Sequence, residues 1–388
     1  MQFITNPIYV LAILCLNIVI SEWLSKKKFF KHLGTSLLVI ILTAVLANIG
    51  MIPTASDNSP VYEGIFIYVA PIAIFFLLLG VHIKQLKAAG LPMMLMFLIG
   101  SGATAIGAII SIYLISGEAV FGSIFHAIAG MMTGTYTGGS INFNTIALHY
   151  NVMREGNLFA GIVAADSFLT TIWMIATIAI PKYFQKRFPR KSLSGQKNHI
   201  SQELTDANEG REKVEPNDVA LLLAIALFSL WISNTIATWF QNLGVNIPAI
   251  LIVTTLALII AQLPIIQKIK GARLLGIYSV YLFLATIGAY CELIAFPKLG
   301  DLAITILIFT TIIVVVHGLI IYGIGALLKQ DWDLISVASQ ANIGGAGTAL
   351  ALAKSLNRND LLLPGILVSA LGNGIGTYLG FLVAYYFN

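Results

Sequence analysis

The sequence predicts an all-α membrane protein that crosses the bilayer about ten times, with two further elements that break in mid-membrane. Hydrophobic residues make up 58% of its 388 residues, and charged residues only 10%. Apolar runs of about 20 residues, long enough to cross the hydrocarbon core as helices, recur along the chain. None of them shows the strand-like alternation that an outer-membrane barrel requires.

The apolar runs form two sets of six elements. The first set covers 4–24, 33–52, 62–83, 91–115, 119–150 and 157–184, and the second covers 218–240, 247–266, 274–296, 301–328, 332–355 and 361–387. The first element has no basic segment ahead of it and no small-residue cleavage site, which predicts a retained membrane helix. We therefore expect a first repeat at 1–184, a polar linker at 185–217 and a second repeat at 218–388.

The positions of Lys and Arg predict the topology. The basic loop from Ser25 to His32 is expected in the cytoplasm, which places the N-terminus outside, and the basic linker is also expected in the cytoplasm. Six crossings in the first half would put the linker outside, so one element in each half must fail to cross. The candidates are 119–150 and 332–355, because each contains adjacent glycines. Each half then has five crossings and one re-entrant hairpin, and the halves form an inverted repeat.

Two polar stretches interrupt these candidate hairpins. TYTGGSIN (135–142) and SQANIGGAGT (339–348) are expected to be unwound and to face a polar cavity, because irregular backbone survives in lipid only where protein or water covers it. Paired interruptions in two halves are typical of transporter sites, and the half-helices that follow present N-terminal ends that favour a carboxylate. The predicted substrate-binding residues are Thr135, Thr137, Gly138, Gly139, Ser140, Asn142, Asn144, Gln340, Asn342, Gly344, Gly345 and Thr348.

Asp166 is the predicted ion-coupling residue, with Ser167 and Asn373. It lies about ten residues into its element, where an ionised carboxylate is costly unless compensated. Na⁺ is the candidate coupling ion, since hard oxygen ligands suit it. The predicted ligands of Na⁺ are Thr137, Asn142, Asn342 and Asp166. Two alternatives stay open: Asp166 as a neutral hydrogen-bonding group in helix packing, and Ser, Thr and Asn as bridges between helices.

Other function classes lack sequence support. Cys15 and Cys291 both lie in apolar runs, so neither a disulfide framework nor a metal cluster is predicted. The basic residues concentrate in loops and no nucleic-acid motif is present, so nucleic acid is not an expected partner. No Walker loop and no hydrolase or metalloprotease motif occurs, so we predict no enzymatic activity, no catalytic residue and no cofactor other than Na⁺.

Two segments resemble the signature stretches of the YjcL-like family of bacterial integral membrane proteins, a family of unknown function. They are GTYTGGSINFNTIA (Gly134 to Ala147) and ASQANIGGAGTALALAKSL (Ala338 to Leu356). The family is grouped with the cation:proton antiporter and anion transporter superfamily, which includes bile acid:sodium symporters. The resemblance implies a scaffold domain and a mobile core domain, an elevator-like movement, a homodimer and a place in the bacterial cytoplasmic membrane. It also implies a carboxylate, or a short or cell-wall-derived peptide, as substrate.

These observations predict a secondary active transporter that moves a small carboxylate-bearing solute with Na⁺ or H⁺. An organic anion, an amino acid and a short peptide all fit that description. The alternative is a cation/proton exchanger without an organic substrate, which would use Asp166 alone. The paired aspartates typical of electrogenic antiporters are missing, which argues against that alternative.

Overall fold

The computed structural model describes residues 5–27, 30, 34–54, 59–190, 214–245, 247–291 and 299–388. Within these ranges all regular secondary structure is helical, which confirms the predicted all-α class. Eight helices in this part of the chain are long and apolar enough to cross a membrane, and two further apolar helices, Gly34–Asn48 and Ala249–Ile260, are shorter. The chain is therefore a polytopic α-helical membrane protein.

The main helices follow the same order in both halves. The first half contains α1 (Pro7–Ser25), α2 (Gly34–Asn48), α3 (Pro60–Leu78), α4 (Leu91–Leu114), α5 (Phe125–Gly138), α6 (Ser140–His149) and α7 (Gly156–Arg187). The second contains α8 (Pro216–Asn242), α9 (Ala249–Ile260), α10 (Ala272–Ala289), α11 (Leu299–Leu327), α12 (Trp332–Ile343), α13 (Gly345–Ser355) and α14 (Leu362–Tyr386). The second helix is short in each half, and the fifth predicted element is split into two.

The three-part division of the chain stays a prediction. The matching order of helices agrees with two repeats, but most of the predicted linker, residues 191–213, lies outside the described residues.

Local sequence explains several helix boundaries. The Asn6 side chain caps α1 by accepting a hydrogen bond from the Ile8 N–H at 2.9 Å, and Asp331 caps α12 through the Asp333 N–H at 3.0 Å. Within α3 a π-helical turn, Ile65–Val69, comes directly before Pro71. Proline lacks the N–H that would bond four residues back, so a local widening of the helix at this point is expected.

The helices pack as two bundles. The first, here called the frame bundle, consists of α1–α3 and α8–α10, with α10 packed along α2 and α3. The second, the hairpin bundle, consists of α4–α7 and α11–α14, with α14 packed along α5 and α11 along α4. The scaffold domain and the mobile core domain that the family resemblance implies stay a prediction.

A ladder of glycines joins α5 to α14. Gly130, Gly134 and Gly138 recur at every fourth position of α5, and a Cβ on Gly130 would lie 2.6 Å from the Gly380 carbonyl oxygen. A Cβ on Gly138 would lie 2.0 Å from the Gly372 carbonyl carbon. The two helices therefore touch backbone to backbone, as small residues at four-residue spacing allow in membranes.

The two hairpins, α5–α6 and α12–α13, enter from opposite faces. The second starts where α7 ends, since the Trp332 indole N–H donates to the Phe188 carbonyl at 3.0 Å. The first starts where α14 ends, since the Phe125 and Phe387 rings lie 5.6 Å apart. The face where α7 ends, which carries Lys182, Lys186 and Arg187, is called the basic face below.

Candidate functional site

Each hairpin bends within one or two residues. Gly139 adopts φ 116°, and Gly345 adopts φ 76°, both in the region that favours glycine. Helix α5 continues through Gly138 and α6 begins at Ser140, so most of residues 135–142 are helical. The expectation of an unwound octapeptide was wrong for this stretch, and helix α12 likewise extends to Ile343 in the second. Helix α5 is kinked at Tyr136, whose φ of −85° and ψ of 16° are not helical, and the chain then reverses at Gly139.

The two bends meet inside the hairpin bundle. The Gly138 carbonyl oxygen lies 4.0 Å from the position that a Cβ on Gly345 would occupy. The Asn373 side-chain oxygen lies 3.8 Å from the corresponding position on Gly139. Helix α14 therefore lines the point where the bends approach each other.

A cavity of about 540 Å³ lies between the two bundles, next to these bends. On the hairpin-bundle side its wall includes Ile141 and Ala346, in the first turns of α6 and α13, together with Gly347 and Asn373. On the frame side the wall consists of the end of α3 and the segment between α9 and α10. Its residues on that side are Phe76, Leu77, Leu79, Gly80, Val81, His82, Ile266, Gln267, Ile269, Gly271, Ala272 and Arg273.

The bundles are in contact at the opposite face. A Cβ on Gly156, at the start of α7, would lie 2.4 Å from the Tyr290 carbonyl carbon at the end of α10. The exposed Arg154 side chain pairs with Glu63 of α3 at 3.0 Å. The cavity wall, in contrast, includes the loops after α3 and before α10, which lie towards the basic face.

The electrostatics of the cavity suit an anion. Helices α6 and α13 point their N-terminal ends towards it, and such ends carry partial positive charge. On the frame side the wall includes the cationic side chain of Arg273. The described part of the wall contains no Asp or Glu.

Several of the predicted substrate-binding side chains make hydrogen bonds within the hairpin bundle. Thr137 donates to the Thr133 carbonyl at 2.7 Å. The Asn142 amide donates to the Gly372 carbonyl at 3.1 Å, and its oxygen accepts from Thr377 at 2.8 Å. These contacts agree with the alternative that such residues bridge helices, and their role in solute binding stays a prediction.

The second hairpin shows the same pattern. Asn342 accepts from Ser101 at 2.8 Å and donates to the Phe97 carbonyl at 3.1 Å, which ties α12 to α4. The Gln340 oxygen accepts from Thr177 of α7 at 3.2 Å, while its amide nitrogen has no hydrogen-bond partner within the described residues. Thr348 donates to the Gly345 carbonyl at 3.1 Å, within its own helix start.

The remaining predicted substrate-binding residues differ in exposure. Thr135 and Asn144 are buried, whereas Ser140 is exposed at the start of α6. Gly344 lies at the bend, where a Cβ would collide with the side chains of Thr348 and Gln340.

The predicted ion-coupling residues make no hydrogen bond to one another among the described contacts. Asp166 accepts a hydrogen bond from Thr170 at 3.4 Å, and the Tyr136 hydroxyl of α5 interacts with it electrostatically without a direct hydrogen bond. Ser167 donates to the Val163 carbonyl at 2.9 Å within α7. Asn373 instead lines the cavity. Asp166 therefore lies beside Tyr136, which precedes the bend at Gly139 by three residues.

The predicted Na⁺ ligands share no hydrogen-bond partner among the described contacts. Thr137 bonds to Thr133, Asp166 accepts from Thr170, and the two asparagines use different partners on α14 and α4. No group of three or more His, Cys, Asp or Glu that could hold a metal ion occurs in the described residues. A Na⁺ site at these positions stays a prediction.

A buried histidine links four helices of the hairpin bundle. The His317 Nδ1 atom of α11 lies 3.0 Å from the Gly100 carbonyl oxygen, so this nitrogen carries the proton. Its Nε2 atom accepts from Ser339 at 2.9 Å, and the Ser339 oxygen accepts from the Trp173 indole at 3.0 Å. The neutral ring is thus fully paired, and it fixes α12 against α4, α7 and α11.

Several residues of the cavity were not identified from the sequence. Ile141, Ala346 and Gly347 carry no polar side chain, yet their position directly after the glycine bends could have indicated them. His82 and Arg273 also line the cavity, and no motif marks either of them. The segments after α3 and before α10 reach the hairpins because the two bundles pack together, and no motif within those segments indicates this packing.

Comparisons with known proteins agree with the family resemblance. The chain is 26% identical over 380 residues to the protein named uncharacterized membrane protein YjcL from Bacillus subtilis (strain 168). The match covers 93% of this chain and 91% of that protein. Residues 9–388 match the family model described as protein of unknown function (DUF819). The predicted YjcL-like resemblance is therefore confirmed, and the chain belongs to the DUF819 family of membrane proteins.

Proposed function

We propose that this protein is a secondary active transporter that moves a small carboxylate-bearing solute with Na⁺ or H⁺. The observation that carries the proposal is the cavity between the bundles, because the first turns of two half-helices from opposite faces lie in its wall. Such paired half-helix ends at mid-membrane are typical of transporter binding sites. An organic anion, an amino acid and a short or cell-wall-derived peptide are the solute classes considered.

Alternating access would follow from relative movement of the two bundles. Their contact at the opposite face, through Gly156 and the Arg154–Glu63 pair, and the cavity towards the basic face fit one end state of such a cycle. In the other state, movement of the hairpin bundle would carry the bends past the frame bundle. We place the protein in the bacterial cytoplasmic membrane as a homodimer, with the N-terminus outside and the basic face in the cytoplasm.

Ligand-dependent stabilisation of the purified protein tests this proposal. A ligand that binds the folded state raises its stability by mass action. We expect one class among carboxylates, amino acids and short peptides to raise the melting temperature, and Na⁺ or a lower pH to enlarge the shift. Failure of every solute, with and without Na⁺, would contradict the proposal.

A side chain that fills the cavity should remove the effect. Gly347 lines the cavity, and a Cβ on it would meet nothing within 4 Å, so Gly347→Leu should fold and block binding. Gly102 of α4 has the same freedom but does not line the cavity, so Gly102→Leu is the matched control. An unchanged solute response in Gly347→Leu would place the binding site elsewhere.

The second candidate function is a cation/proton exchanger without an organic solute. The half-buried position of Asp166 on α7, with Tyr136 and Thr170 as neighbours, favours it. This alternative predicts that Asp166→Asn abolishes pH-dependent cation flux in vesicles while no solute stabilises the protein. Stabilisation by a solute would exclude it as the sole function.

A further inference from the structure

A second recess, here called the lateral groove, lies between α7 and α11 on the hairpin bundle. It has a volume of about 600 Å³, and its walls include Trp173, Ile180, Phe184, Leu319, Tyr322 and Ala326. It shares no residue with the cavity between the bundles. Leu319 is 71% exposed at its edge, so the groove opens sideways, towards the lipid that surrounds a membrane protein.

Two glycines of α11 create the groove. A Cβ on Gly318 would lie 2.4 Å from the Trp173 ring, so the indole packs directly on the α11 backbone and forms part of the floor. A Cβ on Gly323 would meet nothing within 4 Å, so this position leaves open space. A larger side chain at Gly323 would therefore occupy the groove without displacing protein atoms.

The length of the groove matches one leaflet of a bilayer. Val315 and Ala326 both line the groove. Ala326 lies eleven positions after Val315, a rise of about 16 Å along an α-helix. Half of the hydrocarbon core is roughly 15 Å. The groove ends with α11 at the basic face, so it can hold one acyl chain from the leaflet on that side.

A positive charge closes the groove at the basic face. The Arg190 guanidinium donates to the Gly325 carbonyl at 3.1 Å and to the Ala326 carbonyl at 2.9 Å, and it lies 3.9 Å from the centre of the Trp332 ring. These partners carry no net charge, so Arg190 keeps its own. Asp331 also interacts with Arg190, but it is paired with Arg358 at 2.7 Å.

The neighbouring surface strengthens this positive field. Lys186 and Arg187, in the last turn of α7, are both exposed. Tryptophan and basic side chains together mark the headgroup level of a membrane, which places Arg190 at the depth of the phosphates.

We propose that the lateral groove binds an anionic phospholipid from the leaflet at the basic face. One acyl chain lies between α7 and α11, over Gly323, and the phosphate lies at Arg190. The anionic headgroup is preferred over a zwitterionic one because the net charge at the mouth of the groove is positive. This proposal is independent of the transport function.

Native mass spectrometry of the purified protein tests the proposal with two lipids, phosphatidylglycerol and phosphatidylcholine of the same chain length. We expect the protein to retain phosphatidylglycerol preferentially. Gly323→Leu should lower retention several-fold for both lipids, and Arg190→Gln should abolish the preference. Gly102→Leu, outside the groove, should bind as the unsubstituted protein does.

Two outcomes would overturn the proposal. Equal retention of both lipids by the unsubstituted protein would remove the headgroup specificity, and unchanged retention by Gly323→Leu would place the lipid elsewhere. Arg190 also binds the end of α11, so Arg190→Gln is interpreted only if its melting temperature equals that of the unsubstituted protein. If Arg190→Gln is destabilised, the result for Gly323→Leu alone decides the test.

Discussion

The two hairpins have the same outline, but different interactions hold them. The α5–α6 hairpin rests mainly on backbone contact between the glycines of α5 and α14, to which Asn142 adds side-chain hydrogen bonds. The α12–α13 hairpin rests on side-chain hydrogen bonds, in which Ser339 and Asn342 reach α4, α7 and α11. Polar residues beside a glycine bend are therefore not by themselves evidence of a binding site.

The base of each hairpin differs in the same way. Arg358 follows α13 and pairs with Asp331, Asp333 and Asp360, at 2.7, 2.9 and 2.7 Å. At the base of the first hairpin the packing is aromatic, with His126 and Tyr150 rings 4.9 Å apart. The second hairpin is therefore the one that depends on charge.

Arg358→Met should give the largest loss of stability. Burial alone would lower the pKa of Arg358, but hydrogen bonds to Asp360 and Asp331 raise that pKa overall, so the side chain stays charged. Its loss leaves three carboxylates without their cation, which costs about 4 kcal/mol for a buried pair. The melting temperature in detergent measures the loss. A change within about 0.5 kcal/mol, typical of a surface site, would show that charge does not hold the second hairpin.

Gly138→Ala should give the next largest loss, about 3 kcal/mol, because overpacking forces backbone atoms apart. The new Cβ would overlap the Gly372 backbone. Thermal unfolding measures the effect, with Gly102→Ala as the control at a position with open space. If Gly138→Ala and Gly102→Ala have the same melting temperature, backbone contact does not fix the first hairpin.

A matched pair of hydroxyl deletions should sharpen the contrast. Ser339→Ala leaves the Trp173 indole and the His317 Nε2 atom unpaired, so we expect a loss of about 2 kcal/mol. Thr137→Val in the first hairpin removes only one hydrogen bond within its own helix, which predicts a loss below about 1 kcal/mol. Chemical unfolding of both variants compares them, and equal losses would contradict the account.

The sequence predicted the helices better than the site. A helix occurs at each apolar run of the sequence, because bilayer thickness sets the length of such runs. The elements 119–150 and 332–355 are each split, as predicted. The glycine pairs also located the bends, because Gly139 and Gly345 need positive φ. The extent of unwinding was overestimated, since polarity was taken to break the helix, whereas the Thr137 side chain bonds within α5 and the Asn142 side chain bonds to α14.

The candidate site depends on contacts between distant segments. The periodic glycines at 130, 134, 138 and 372, 376, 380 could have indicated the packing of α5 on α14, because small residues at four-residue spacing mark close helix pairs. The sequence could not have indicated that Arg273 and Gly347 line the same cavity, because this depends on how the two bundles meet. Side-chain direction at each bend also decides which polar groups face the cavity, and a linear pattern does not contain it.

Water access to the half-helix ends decides whether the cavity can bind a solute. Gly347→Cys is made in a protein whose two native cysteines, Cys15 and Cys291, are replaced by Ala. A membrane-impermeant maleimide is then applied to either face of vesicles of known orientation. The account predicts labelling of Gly347→Cys from the basic face and none of Gly365→Cys, whose Cβ would be packed against Val337. No labelling of Gly347→Cys from either face would mean that the half-helix ends meet in a dry contact, which contradicts a solute-binding cavity.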